Sequence, residues 1–350
     1  MNNGTLEIIN NFDKIKDIKS NLLFGNIIED ADITIGIPVY GFSKYFEETL
    51  NSILNQKENG FKIQIIISDN KEYGDSSNPF IEYFENKNID NIAYYCSEKT
   101  LGQLNNFNRL IELSKTKYIV TIHDDDILAN DYFYNLSKMK SLLAKKDTAM
   151  IHGSYKYFND IVPEDDKKKE IKAYKITNFS VSYVGTSCTG IPSCGYLVNC
   201  DIMKEVGGYN DRFVSSGDAF PSAIMMNKKY KVYNFGYNTG FYRVAVNISL
   251  RLDICQGFIK QDYMFYEDWK SIGGGILRKS YMNIFQNYVY SKNIDGKVHG
   301  FGVLNKEITV ASLDYRHKYK KYHKFGLINL LHKCFRYVLG FSKLFNTIKF

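Results

Sequence analysis

This sequence has no apolar run long enough to span a bilayer, about 18 residues or more, and its opening, MNNGTLEIINNFDKIKDIKS, lacks the basic-then-apolar order of a secretory leader. Neither a membrane-spanning helix nor export is expected, and the cytoplasm is the expected location. The six cysteines (Cys96, Cys188, Cys194, Cys200, Cys255 and Cys334) include no CxxC pair, which argues for reduced thiols rather than bridges or zinc. No repeat or low-complexity tract is present, so disorder is not the default. Missing too are a GxGxxG fingerprint in the stretch GIPVYGFS and a GxxxxGK[ST] loop anywhere, which lowers the odds of NAD and of P-loop chemistry. Any bound phosphates must be neutralised by a metal instead.

What is present is an ordinary folded composition, 44% hydrophobic and 24% charged over 350 residues, enough for one large domain with appendages or for two small ones. The net charge of +7 is unevenly placed: Tyr315 to Phe350 holds nine Lys or Arg and no Asp or Glu. A basic end on a near-neutral body argues against a nucleic-acid surface and for one local anionic contact, with membrane phospholipid the leading candidate. In this stretch Leu327, Leu331, Cys334, Phe335, Val338 and Phe345 share a helical face, and Lys333, Arg336 and Lys343 lie elsewhere. That pattern suits an interfacial helix or one packed on the body.

From Ile33 short apolar runs alternate with amphipathic stretches, the signature of βαβ units closing a parallel sheet. ITIGIPV (33–39), KIQIIIS (62–68), IAYY (92–95) and KYIVTI (117–122) read as strands. Ser43 is placed to cap a helix carrying Phe46, Leu50, Ile53 and Leu54, and Phe80, Tyr83 and Phe84 begin a second. Leu104, Phe107, Leu110 and Ile111 mark a third. Beyond these, TAMIHG (148–153) and GYLVN (195–199) read as strands, Leu136, Met139 and Leu143 as a helix, PEDDKKKEIK (163–172) as a solvated loop, DIMKEVGGY as a short helix ending at glycine, and the chain from Leu250 as mainly helical.

Ligands of open α/β sheets bind beyond the carboxyl ends of the strands. Here those ends carry Pro38, Val39 and Tyr40, then Ser68, Asp69 and Asn70, then His123, Asp124, Asp125 and Asp126. A flat aromatic, a carboxylate and a carboxylate cluster could hold a base, a ribose and a metal-bound diphosphate. Adjacent carboxylates repel one another and are best tolerated beside a hard cation, Mn²⁺ or Mg²⁺. The plainer reading is a solvated turn before a helix near Asp131. Similarly, Asp69 could close an Asx-turn, Tyr40 could simply pack, Arg109 reads as a solvated arginine, and His152 as a core or rim histidine.

The run ITIGIPVYGFSKYFEETLNSILNQ, then IIISDN, then LGQLNNFNRLIELSKTKYIVTIHDDDIL resembles the opening of inverting family 2 glycosyltransferases of GT-A fold, over about residues 32 to 250. The resemblance implies a Rossmann-like, mostly parallel sheet flanked by helices, with a mainly helical C-terminal extension. It assigns the nucleotide-sugar donor to Pro38, Tyr40, Asp69, Asn106, Asp124 and Asp125, with Asp69 on the nucleobase, and the metal to Asp126 first and then Asp124. In GGYNDRFVSSGD (207–218) it places the catalytic base on Asp218, with Asp211 the nearest rival and a cap for AFPSAIMM the plainer role. Two departures stand out: His123 fills the first position of the usual Asp-x-Asp-Asp, and Ala245 lies near where many relatives supply a histidine to the metal. The cation is then held mainly by diphosphate, one or two aspartates and water.

By the same resemblance the chain transfers a sugar, most commonly from a UDP-sugar, to a glycan or lipid-linked glycan of a bacterial surface polysaccharide, inverting the anomeric carbon. The acceptor side falls in about 155–195 and the C-terminal helices, where Tyr155, Tyr157, Phe158 and Tyr183 offer pyranose-stacking faces or simply packing. The expected division is a helical extension at 1–31, a catalytic domain at 32–250 whose halves meet near 150, and a helical region at 251–350 with the basic amphipathic end. A sugar nucleotidyltransferase and a non-catalytic glycan-binding or scaffold protein of the same fold are the alternatives; VYGFSKYF does not supply the phosphate loop of the former.

Overall fold

The computed structural model describes residues 8–57, 60–72, 78–87, 89, 91–164, 172–176, 194–213, 225, 230–244, 251, 253–254, 257, 330–331, 334 and 347–349. In chain order the elements are β1 (Ser20–Gly25), β2 (Ile33–Val39), α1 (Phe46–Leu54), β3 (Ile63–Asp69), α2 (Pro79–Glu85), β4 (Ile92–Ser97), α3 (Gln103–Leu113), β5 (Tyr118–Thr121), β6 (Ile127–Leu128), α4 (Tyr132–Ser137), α5 (Lys140–Leu143), β7 (Thr148–Phe158), β8 (Lys172–Ile176), β9 (Tyr196–Asn199), α6 (Cys200–Glu205), β10 (Lys231–Arg243) and β11 (Thr347–Lys349). The strands form one sheet ordered β1-β4-β3-β2-β5-β9-β7-β10-β8-β11, with β6 paired to β10 off this path. The β2–β3, β2–β5, β3–β4 and β7–β10 pairs are parallel, and β9 runs against both β5 and β7. Six strands (β2, β3, β4, β5, β7 and β10) therefore point the same way and present their carboxyl ends along one edge of the sheet.

The two faces follow from the alternation inside each strand. In ITIGIPV, Ile33, Ile35 and Ile37 join the main core with Phe46, Leu50 and Ile53 of α1, Phe80 and Phe84 of α2, and Phe133 and Leu136 of α4. Gly36 faces the other way, against α3. A Cβ there would stand 2.8 Å from Ile119 Cδ1 and 3.2 Å from Leu110 Cδ1, so the glycine is what lets α3 lie close to the sheet. Proline is tolerated in this central strand because the β2–β5 ladder stops at Gly36 opposite Thr121. Pro38 pairs with Ser68 of β3 alone, and β5 asks no N–H of it.

Two expectations change, and a third falls mostly outside the described residues. Residues 1–31 are not a helical extension where described: Asn11–Lys14 form a 3₁₀ turn and β1 pairs antiparallel with β4. The physical reason is that β4 would otherwise be an open sheet edge, which β1 covers. Arg109 is not solvated but 8% exposed, and its guanidinium donates to the carbonyls of Ile15 (2.7 Å) and Ile18, tying this segment to α3. The 251–350 region, expected helical, lies almost wholly outside the described residues; Thr347–Lys349 within it form a strand paired with β8. Among the described residues no helix is long and apolar enough to cross a membrane.

Candidate functional site

The carboxyl ends of β2, β3 and β5 converge as expected, and hydrogen bonds among their loops fix the site. Tyr40 directly follows β2 and is 67% exposed, its ring turned to solvent. The next residue is pinned by Asp69 at the end of β3: its Oδ1 accepts from the N–H of Gly41 (3.0 Å) and of Lys71 (3.0 Å), and its Oδ2 from the Tyr94 hydroxyl (2.9 Å). Asp69 is fully buried. Its bond to Lys71 two residues on is the Asx-turn, and the carboxylate expected on the nucleobase is occupied in shaping the Tyr40 loop.

Two further expected donor contacts are turned inward. Pro38 is buried within β2. Asn106 of α3 is 2% exposed, accepts from Ser68 Oγ at 2.7 Å and donates to Ser68 O at 2.9 Å and Val39 O at 3.4 Å. It clamps the ends of β2 and β3 together instead of facing a ligand. Asn70 does similar work, accepting from Leu101 N.

The triplet after β5 divides into two half-buried aspartates, Asp124 and Asp125, and one buried, Asp126. Burial first, and then the neighbouring Asp125, push the Asp124 carboxyl up to about 6. Burial also raises Asp125 against the pull of Arg243, and it raises Asp126 well above the carboxylate range with help from Asp125. Burial and mutual repulsion make the charged forms of these carboxyls costly, and a cation beside them would offset that cost. His123 is pushed the other way, its ring made harder to protonate by burial although Asp124 opposes this.

Asp126, expected as the first metal ligand, is buried, with one carboxylate oxygen engaged by the fold. Its Oδ1 accepts the backbone N–H of Arg243 at 3.0 Å, and its carbonyl accepts from Thr49 Oγ1 at 2.7 Å. Its Oδ2 is buried without a hydrogen bond. Among the described residues no group of three metal-ligating side chains comes together. Within the triplet, Asp124 and Asp125 are the two that keep partial exposure.

Behind the triplet stands Arg243, at the end of β10 and 2% exposed. Its Nε donates to Asp125 O (2.9 Å), Nη1 to Asn159 O (3.1 Å), and Nη2 pairs with Glu48. The guanidinium lies 4.1 Å from the Tyr45 ring centroid and 4.4 Å from that of Phe158. Sequence reasoning missed this residue; its signal was a basic side chain closing the apolar run FYRV, which only a buried partner explains.

The Gly-Gly-aromatic turn is reached from the opposite side of the site. Gly207 and Gly208 have φ of +85° and +75°, the left-handed region that glycine favours. Asn11 donates from both its backbone N–H and its Nδ2 to Gly207 O (2.9 Å each), and Asn108 brackets Tyr209 with bonds of 2.8 and 3.0 Å. Tyr209 then packs on Phe107, and Phe107 on His123, each pair with centroids 5.3 Å apart. Asp211 pairs with Lys14 at the surface. Asp218 and Ala245 lie outside the described residues.

Comparison with known proteins places this architecture. The family model described as "Glycosyl transferase family 2" matches residues 34–205. An abequosyltransferase, RfbV, of Salmonella typhimurium is 35% identical over 99 residues, 28% of this chain and 29% of that protein. An uncharacterized glycosyltransferase of Rickettsia felis is 24% identical over 186 residues, 53% of this chain and 30% of that one. The chain thus spans under a third of the length of either relative. Among solved structures, the mannosyltransferase PcManGT of Pyrobaculum calidifontis, in complex with GDP-Man and Mn²⁺, superposes with a TM-score of 0.54 over 92% of this chain and 88% of its own, at 9% identity; this is a likeness of fold, the GT-A arrangement. Residues 34–205 are thus a glycosyl transferase family 2 domain.

Proposed function

We propose that the chain transfers a sugar from a nucleoside diphosphate donor, a UDP-sugar, to a hydroxyl of a glycan or lipid-linked glycan in surface polysaccharide synthesis, with inversion. The observation that carries this reading is the aspartate triplet at the carboxyl end of β5, whose carboxyls are made reluctant to ionise by burial and by one another. The Salmonella relative's description as an abequosyltransferase supports sugar transfer, and the GDP-Man and Mn²⁺ of the fold relative are the ligand classes these carboxylates suit.

The donor set fits a hard divalent cation: carboxylate oxygens only, two of them half-buried and open to the edge of the sheet. Asp124 and Asp125 would hold Mn²⁺ or Mg²⁺, and bound there it offsets the charge that builds on the departing diphosphate. Asp126 acts from behind, locking the β5 loop to β10 through the Arg243 N–H. Tyr40 offers its exposed ring to the base, on a loop that Asp69 holds. Asp218 takes the acceptor proton as the hydroxyl attacks, a role that rests on its place in GGYNDRFVSSGD. The basic end of the chain, from Tyr315, meets an anionic membrane surface.

Calorimetry of UDP-sugar binding with Mn²⁺ and with EDTA tests the reading. Binding is expected to need the cation in the wild type and to be lost in Asp125→Ala, while Asp218→Asn binds donor normally and turns it over roughly 10² to 10⁴ times more slowly. Undiminished affinity in EDTA would refute the metal assignment.

A further inference from the structure

The sheet edge that carries the triplet continues to the carboxyl ends of β7 and β10, because β9 runs against both β5 and β7 and β7 is parallel to β10. Three tyrosines gather there. Tyr242 stands opposite Tyr157 and Gly240 opposite Tyr155 in the β7–β10 register, so Tyr155, Tyr157 and Tyr242 project from one face. Arg243 and Phe158, also opposite each other, project from the other. The cluster is one residue removed from the N–H that holds Asp126.

The rings form a corner. Tyr157 stands edge-on to both neighbours, at 83° and 5.1 Å from Tyr155 and 86° and 5.7 Å from Tyr242, while Tyr155 and Tyr242 are tilted by 52° at 5.6 Å. Tyr157 is 63% exposed, a wall rising beside two half-buried rings. The Tyr155 and Tyr157 hydroxyls share one hydrogen bond of 3.0 Å. One hydroxyl donates in that bond, which leaves the other's proton and several lone pairs for a ligand.

Such a corner suits a ring with an apolar face and a hydroxyl rim. Among the described residues no charged side chain belongs to the corner: Lys156 alternates to the opposite face, where its Nζ donates to Glu164 O at 2.7 Å. Among the described residues an anionic group would find no cation in the corner, and a hydrocarbon chain would leave the hydroxyls unsatisfied. We propose that Tyr155, Tyr157 and Tyr242 hold a pyranose unit of the acceptor glycan, stacked on Tyr157, beside the aspartate triplet. The proposal rests on the glycosyltransferase reading and adds to it where, and by what contact, the acceptor is gripped.

The test uses the full chain on an array of immobilised bacterial surface oligosaccharides, with UDP and Mn²⁺ present, and compares wild type, Tyr157→Phe and Tyr157→Ala. The wild type is expected to retain a subset of glycans, Tyr157→Phe, which keeps the stacking face and loses the hydroxyl, to weaken that retention less than Tyr157→Ala, and Tyr157→Ala to lose about tenfold in affinity, or ~1.4 kcal/mol. Because Tyr157 is exposed, thermal unfolding should not move. Equal retention by wild type and Tyr157→Ala, or no glycan retained by the wild type, overturns the proposal. Mn²⁺-dependent UDP binding, measured on the same samples, separates the two failures. If the wild type still binds UDP, only the tyrosine corner falls; if it does not, the glycosyltransferase reading falls as well.

Discussion

Replacing Arg243 by Met keeps a long unbranched stem and removes the guanidinium. Two part-buried carbonyls, Asp125 O at 2.9 Å and Asn159 O at 3.1 Å, lose their donors, at about 1–2 kcal/mol each. The cation over Tyr45 and Phe158, 4.1 and 4.4 Å from their centroids, contributes about 1–2 kcal/mol more in a desolvated setting. The pair with Glu48 adds less than about 1 kcal/mol, since the Glu48 side chain is 53% exposed. Against these losses, Met avoids the several kcal/mol that desolvating a cation costs. A net loss of about 2–3 kcal/mol is therefore expected, read as a lower urea midpoint at unchanged slope. Arg243→Lys should fall between, keeping the charge and losing the fork. Mn²⁺-dependent UDP binding should weaken in the same order, because the Asp125 carbonyl is no longer held, whereas the backbone N–H that holds Asp126 is kept by both substitutions. A Met variant within about 0.5 kcal/mol of wild type would refute the reasoning.

Burial pushes His152 down to about 4, so the fold favours its neutral ring; that stability is complete above the ordinary value near 6.5 and is lost as pH falls from there through 4, to a limit of about 3 kcal/mol. Urea unfolding at pH 7 and 4.5 should show this acid loss in wild type and much less in His152→Gln, and an identical pH slope in both would count against it. Asp69→Ala strips the shared acceptor from Gly41, Lys71 and Tyr94, for which about 3 kcal/mol is expected; a normal unfolding midpoint with only donor affinity reduced would instead put Asp69 on the base. Truncation after Tyr315 should abolish flotation with anionic liposomes and leave neutral ones unaffected; equal flotation with both kinds contradicts the membrane contact.

The parallel strands were legible because each is a short apolar run closed by a turn, and the positions of Tyr40, Asp69 and the triplet at strand ends followed from that. The orientation of polar side chains was not. Asn106, Asp69 and Asp126 look like ligand contacts in a linear string, yet each is buried against backbone groups, in the case of Asp126 a partner 117 positions away. No local pattern encodes such a bond. β10 (KVYNFGYNTGFYR) was missed because it is paired on both sides, by β7 along its length and by β8 and β6 on the other, and carries buried polar residues such as Thr239, bonded to Ser154 O, that break the alternation expected of a strand. β1 was missed for the opposite reason: SNLLFG has little to bury, and it is a strand because β4 offers it an edge.

The tether between residues 11–18 and the rest of the fold fixes an order of events. Asn11 binds Gly207, 196 positions later, and Arg109 grips the carbonyls of Ile15 and Ile18, 94 and 91 positions earlier. At about 5–20 residues per second on the ribosome, residues around Asn11 wait on the order of 10–40 seconds before their partner turn exists. Phe12 and Ile15, buried in the finished fold, have no partner until α3 emerges about halfway through that interval and no complete seat until its end, and β4 can emerge and pair with β3 before β1 closes over it. The segment made early is thus among the last to be seated. An unseated copy exposes both its own apolar residues and the open edge of β4, the kind of surface on which nascent chains associate wrongly.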